Sequence, residues 1–86
     1  MERRELLELV LDLAREAGIE IRREPGGAAV RSGVCRVRGA VWLVLSAADP
    51  LEERLAVAAD ALRRHAGPLL EERYLPPAVR DLLEGS

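Results

Sequence analysis

Lysine, asparagine, glutamine, threonine and phenylalanine are all absent from the 86 residues, so every one of the 13 basic residues is arginine. Trp42 and Tyr74 are the only aromatic residues, which leaves an aliphatic core to be built from 15 Leu, 13 Ala, 8 Val and 2 Ile. A single cysteine, Cys35, cannot close an intrachain disulfide, and together with a single histidine, His65, it offers no metal-ligand spacing. No metal or cofactor is therefore expected, and a reducing cytoplasm is the expected compartment. No glycine-rich phosphate loop is present either, because Pro25-Gly26-Gly27 does not lead from a strand into a helix. Glu8 and Asp12 interrupt the Leu/Val run near the N-terminus before a signal peptide or membrane span can form, so neither export nor anchoring is expected. Missing amides fit the avoidance of heat-labile side chains in thermophiles. The wealth of Arg, Ala, Leu and Gly fits a GC-rich source.

What remains is 49% hydrophobic and 33% charged, the composition of a soluble globular domain. The reading is one domain over residues 1–86, hiding roughly 60–65% of its unfolded surface. At roughly 0.05–0.15 kcal/mol per residue its stability comes to about 4–13 kcal/mol.

From Glu2 to Ala17 the residues Leu6, Leu9, Val10, Leu13 and Ala17 recur at helical spacing, with Leu7, Leu11 and Ala14 widening the stripe. Gly18 ends that helix in the C′ position. Ile19-Glu20-Ile21-Arg22 alternates as a half-buried strand does, giving a strand over 19–24 that stops at Pro25-Gly26-Gly27. Residues 28–46 read as a hairpin turning at Arg38-Gly39, with glycine suited to the positive φ of a type I′ turn. That register sets Cys35 opposite Trp42, Val37 opposite Ala40 and Val34 opposite Leu43. One hairpin face then carries Cys35, Val37, Ala40, Trp42 and Val44 without charge, while the other mixes Val34, Val41, Leu43 and Leu45 with Arg36. Strand 40–46 is the expected centre of the sheet, and Ser32-Gly33 an expected bulge in an edge strand begun at Ala28. Asp49-Pro50-Leu51-Glu52 reads as an N-cap acid, a proline at the first helical position and a capping box. The helix that follows buries Leu51, Leu55, Ala58, Ala59 and Leu62 and ends at Gly67-Pro68. A short helical turn around 69–73 and a last helix over 78–84 complete the chain. The expected fold class is α+β: a three-stranded antiparallel sheet with two main helices packed on it (α-β-β-β-α), plus short C-terminal helices.

Charge is unevenly placed. Residues 1–17 carry net −2, residues 19–40 net +3 and residues 46–86 net −3. Arg22, Arg23, Arg31, Arg36 and Arg38 thus form a candidate anion or nucleic-acid patch, against the alternative of charges that keep strand edges from stray pairing. The acidic pI of about 5.4 and the lack of stacking aromatics argue against nucleic acid. Cys35 neighbours Arg36, but strand alternation points the two to opposite faces, the arrangement of a buried core thiol rather than a reactive one. His65, beside Arg63 and Arg64 in the last turn of its helix, is favoured there by the helix dipole and has no nearby nucleophile. The adjacent pairs Glu52-Glu53 and Glu71-Glu72 diverge by about 100° on a helix and do not converge on one bond.

Two resemblances follow from motifs. The stretch Ala61-Leu62-Arg63-Arg64-His65, on a helix after a strand, resembles the active-site helix of zincin-type metallopeptidases. Its last histidine matches, while Ala61 and Leu62 stand where a zinc ligand and the general base belong, so the likeness implies an inactive scaffold. The pattern Gly18-Ile19-Glu20-Ile21-Arg22, then Gly33-Val34-Cys35-Arg36-Val37-Arg38-Gly39, and a closing Tyr74-Leu75-Pro76-Pro77-Ala78-Val79-Arg80 resembles a group of small uncharacterised bacterial proteins. That likeness implies a stand-alone domain and carries over no site residues.

Together these observations point away from an enzyme and toward a small non-catalytic interaction module that forms a homodimer, with Val41, Trp42, Leu43 and Leu45 as the candidate interface. Two sheet faces are largely apolar and two long helices cover one of them. The alternatives are anion or nucleic-acid binding through the arginine strands, and the inactive metallopeptidase-like scaffold.

Overall fold

A computed structural model describes residues 1–26 and 30–85. The chain runs α1 (Arg3–Glu16), β1 (Glu20–Glu24), β2 (Gly33–Val37), β3 (Ala40–Ser46), α2 (Leu51–His65), α3 (Gly67–Glu72) and α4 (Pro77–Glu84). It is an α+β fold with one three-stranded sheet and four helices, two long and two short.

The end of α1 follows from its residues. Gly18 takes φ +84° and its N–H donates to the Arg15 carbonyl, while the Ile19 N–H donates to the Ala14 carbonyl at 2.9 Å. These are the two hydrogen bonds of a Schellman cap, and Ile19, the residue after the glycine, drops into the core. A Cβ built on Gly18 meets nothing within 4 Å, so an alanine there is opposed by backbone conformation alone. Gly18→Ala is expected to lower the unfolding free energy by about 1 kcal/mol, measurable by urea denaturation. No loss would mean that the cap relaxes at no cost.

On α1 the fully buried residues are Leu6, Leu7, Val10, Leu11 and Ala14, whereas Leu9, Leu13 and Ala17 are half-buried. The stripe is thus turned toward the Leu7/Leu11 side of the face that periodicity outlines. α2 buries Leu55, Ala58, Ala59, Ala61 and Leu62. The alanines let it lie close to α1 and to the sheet. α4 closes the core with Val79, packing against both α1 and α2.

The hairpin register is the expected one: Val34 pairs with Leu43, Cys35 with Trp42 and Val37 with Ala40, and Arg38 and Gly39 both have positive φ, at 52° and 84°. β3 is central, in the order β1-β3-β2. The sheet is mixed rather than antiparallel, because β1 pairs with β3 in parallel, Ile21 beside Leu43 and Arg23 beside Leu45. The end of β1 and the start of β2 lie at one end of the sheet, Glu24 beside Ser46 and Gly33 beside Val44. β1 therefore runs opposite to β2, and since β3, the most apolar strand, sits between them, β1 runs parallel to β3. An antiparallel expectation follows only if consecutive strands are also neighbours, which they commonly are but here are not.

The start of α2 also differs from its sequence signature. Pro50, not Asp49, precedes the first helical residue, and no side chain caps the helix. The Asp49 carboxylate instead accepts the Ser32 N–H at 2.8 Å, and Glu52, the expected closing member of a capping box, forms a two-bond ion pair with Arg3 at 2.7 and 2.9 Å. Ser32 is the point where the chain enters β2: its Oγ accepts the N–H of the fully buried Ser46 at 2.9 Å. The strand begins at Gly33: residues 30–32 are not strand, so the expected bulge at Ser32-Gly33 is not formed, and the expected start at Ala28 lies outside the described residues.

Candidate functional surface

Strand alternation divides the sheet into two unlike faces. Ile21, Val34, Val41, Leu43 and Leu45 point toward α1 and α2 and belong to one core cluster with Leu11, Leu55 and Leu62. Cys35, Val37, Ala40, Trp42 and Val44 point the other way and take no part in that cluster. The helices cover a single face. Of the four interface candidates, Leu43 at 0% and Leu45 at 3% exposure are core residues, and Val41 is half-buried on the same side. Trp42 alone lies on the open face. Four neighbours along one strand alternate sides, so a contiguous run cannot form one surface.

β1 adds charge to the open face through Glu20, Arg22 and Glu24. The Arg22 guanidinium lies 5.5 Å from the centre of the Trp42 ring, within cation–π range, and its Nε is 3.3 Å from Glu24 Oε1. Trp42 is half-buried beneath that cation, and the Cys35 thiol beside it is exposed rather than buried as strand alternation had implied. The Arg22 stack was not legible in the sequence, because it depends on the register of β1 on β3.

The five candidate arginines do not form one patch. Arg22 lies on the open face, Arg23 on the helix side with its Nη2 2.7 Å from Glu8 Oε2, Arg36 on the helix side near the hairpin end, and Arg38 in the turn. Arg31 lies close enough to Asp49 to help stabilise its carboxylate.

Asp49 is the centre of a small polar knot at the end of β3. Its carboxylate accepts the Ser32 N–H, Ser46 Oγ accepts the Ala48 N–H at 3.3 Å, and Arg54 Nε donates to the Asp49 carbonyl at 3.1 Å. The hydrogen bonds from Ser32 hold the Asp49 carboxyl below its ordinary value of 3.8, with smaller contributions from Arg31 and Arg54. A carboxyl whose pKa is depressed by folding stabilises the fold at pH above its unfolded value and loses that contribution as pH falls through its folded value. Below about pH 4 the melting temperature is therefore expected to fall less steeply in Asp49→Asn than in the parent protein, because the amide oxygen keeps the Ser32 bond without titrating. Parallel melting curves for the two proteins between about pH 5 and 2.5 test this.

Ala61 and Leu62, where a metallopeptidase would carry a zinc ligand and its base, are fully buried in the aliphatic core, and His65 is half-buried one turn later. Among the described residues no three His, Cys, Asp or Glu side chains are grouped to hold a metal ion. No described helix is long and apolar enough to cross a membrane. No protein-family model matches the chain, and no curated protein or solved structure is similar enough to match it. The distinctive feature is an apolar hairpin face with an aromatic centre and a charged margin on one side.

Proposed function

We propose that this protein is a non-catalytic interaction module of the cytoplasm that self-associates through the open face of its hairpin. The observation that carries this reading is the row Cys35, Val37, Ala40, Trp42 and Val44, which no helix covers, while the opposite face sends Leu43 and Leu45 into the core. An apolar sheet face left bare in a chain that is one-third charged marks an association surface. Aromatic side chains are the usual energetic centres of such surfaces.

The charged margin favours a second copy as the occupant. Along β1 the open face reads Glu20, Arg22, Glu24, so a two-fold axis that sets Arg22 against Glu24 of the second copy makes the reciprocal pair at the same time. Three strands about 4.8 Å apart and five to seven residues long make a face well below the ~800 Å² per partner of a standard interface, so the expected affinity is micromolar. The reducing cytoplasm keeps the exposed Cys35 thiol free beside the contact.

Sedimentation velocity over about 5–500 µM protein tests the reading, with a concentration-dependent shift from monomer to dimer expected. A single monomeric species throughout that range excludes it.

A further inference from the structure

A second feature, independent of the hairpin face, lies at the end of the sheet where the parallel strands β1 and β3 finish. There the first turns of α1 and α2 enclose a cleft of about 170 Å³ lined by Arg4, Leu7, Glu8, Arg23, Leu51 and Arg54. Three arginines and one glutamate line it, in a chain whose total charge is −2, and the Asp49 carboxylate lies near enough to Arg54 to feel its charge.

Four acids near the cleft are already engaged, while Glu5 and Glu53 in the first turns of α1 and α2 form no ion pair among the described residues. Glu8 is held by Arg23 at 2.7 Å, Glu52 by Arg3, Glu24 by Arg22, and the Asp49 carboxylate by the Ser32 N–H. Among the described residues Arg4 and Arg54 form no ion pair. Arg54 is nonetheless held in place, half-buried with its Nε on the Asp49 carbonyl, and among the described residues its two terminal nitrogens make no hydrogen bond. Like charges gathered in one concavity repel one another, and the apolar side chains of Leu7 and Leu51 strengthen both that repulsion and the attraction for an anion. Guanidinium forks suit the oxygens of a phosphate group, which two or three of them can grip bidentately.

We propose that this cleft binds a small tetrahedral oxyanion of the phosphate class through Arg4, Arg23 and Arg54. Its volume is five to six times the ~30 Å³ share of one water molecule, enough for a five-heavy-atom phosphate, and below the ~300 Å³ at which sites for drug-sized molecules begin. Any larger body attached to the phosphate stays outside the cleft.

Calorimetric titration at low ionic strength with inorganic phosphate, and separately with phenyl phosphate, tests the site against chloride at equal ionic strength. Binding of inorganic phosphate alone identifies the free ion as ligand, and equal binding of both identifies a phosphate headgroup. Arg4→Gln and Arg54→Gln are each expected to weaken binding by about ten- to hundredfold, as loss of a charge-assisted hydrogen bond does, with the fold checked by circular dichroism. Arg38→Gln, in the hairpin turn, is expected to leave binding unchanged. Glu8→Gln removes the carboxylate that lines the cleft among the described residues and is expected to tighten binding, a result that a purely structural Arg23–Glu8 pair does not give. Absence of phosphate binding at about 10 mM, or an equal loss in Arg38→Gln, overturns the proposal. Neither result depends on whether the protein dimerises.

Discussion

Leu43→Ala is expected to cost about 2–5 kcal/mol of unfolding free energy, a large part of the ~4–13 kcal/mol available to a chain of this length. Leu43 is fully buried in the central strand, between Ile21 of β1 and Val34 of β2, in one cluster with the leucines of α1 and α2. Removing three of its side-chain carbons leaves a cavity in the core cluster that the sheet shares with both long helices. β3 is fixed by pairing on both edges and cannot move to fill it. At about 4–8 °C per kcal/mol, the melting temperature is expected to drop by at least about 8 °C. A chemical denaturation curve for the variant, read for midpoint and slope, gives the free energy directly. A loss below about 1 kcal/mol would place Leu43 outside the core, and the assignment of the two sheet faces would be reversed.

Trp42→Glu, one residue away, is expected to do the opposite: abolish self-association and leave the monomer folded. The side chain projects from the face that no helix covers, so its removal opens no cavity in the aliphatic core. What the fold loses is a half-buried ring and its stack with Arg22, where an exposed cation–π contact contributes about 0.5–1 kcal/mol. The new carboxylate lies within reach of Arg22 in the monomer, but in a dimer it would be buried at the centre of an apolar contact. That burial is costly unless the charge is paired. Sedimentation should therefore show a monomer at every concentration at which the parent protein dimerises, with unfolding free energy changed by less than about 2 kcal/mol. A variant that dimerises as the parent does removes the hairpin face from the interface. A variant that loses more than about 3 kcal/mol shows that the face belongs to the core. Read together, Leu43→Ala and Trp42→Glu place one effect on stability and the other on association.

That division between neighbouring residues was only half legible in the sequence. The hairpin register, with Cys35 opposite Trp42, can be read from Arg38-Gly39 and the alternating residues around it, because a two-residue turn fixes which side chains share a face. Which face is covered cannot, since both hairpin faces carry comparable aliphatic surface. The choice depends on β1. Its Ile21 joins Val34 and Leu43 toward the helices, whereas its Glu20, Arg22 and Glu24 fall on the other side, where burial would strand three charges.

The arginines make the same point. Segment charge places five of them between residues 19 and 40, but strand alternation and the parallel register of β1 separate them. The cleft instead gathers Arg4, Arg23 and Arg54, which lie on three elements and share no sequence signal. Asp49 carries every local mark of an N-cap, yet its carboxylate goes to the Ser32 N–H. Seventeen residues separate the two, and only closure of the sheet brings them together.

The sequence by itself determined those features whose cause lies within about ten residues: the C′ glycine of α1, the type I′ turn and register of the hairpin, and the end of α2 before Gly67-Pro68. Each follows from backbone conformation or from the period of apolar residues, and no distant group competes strongly enough to change it. Tertiary structure decided the parallel partner of β1, the face left open around Trp42, the acceptor for the Ser32 N–H, and the grouping of Arg4, Arg23 and Arg54. In each of those cases several local arrangements are nearly equal in free energy. The outcome is set by which one buries the most aliphatic surface without stranding a charge, a quantity defined only when the whole chain has folded.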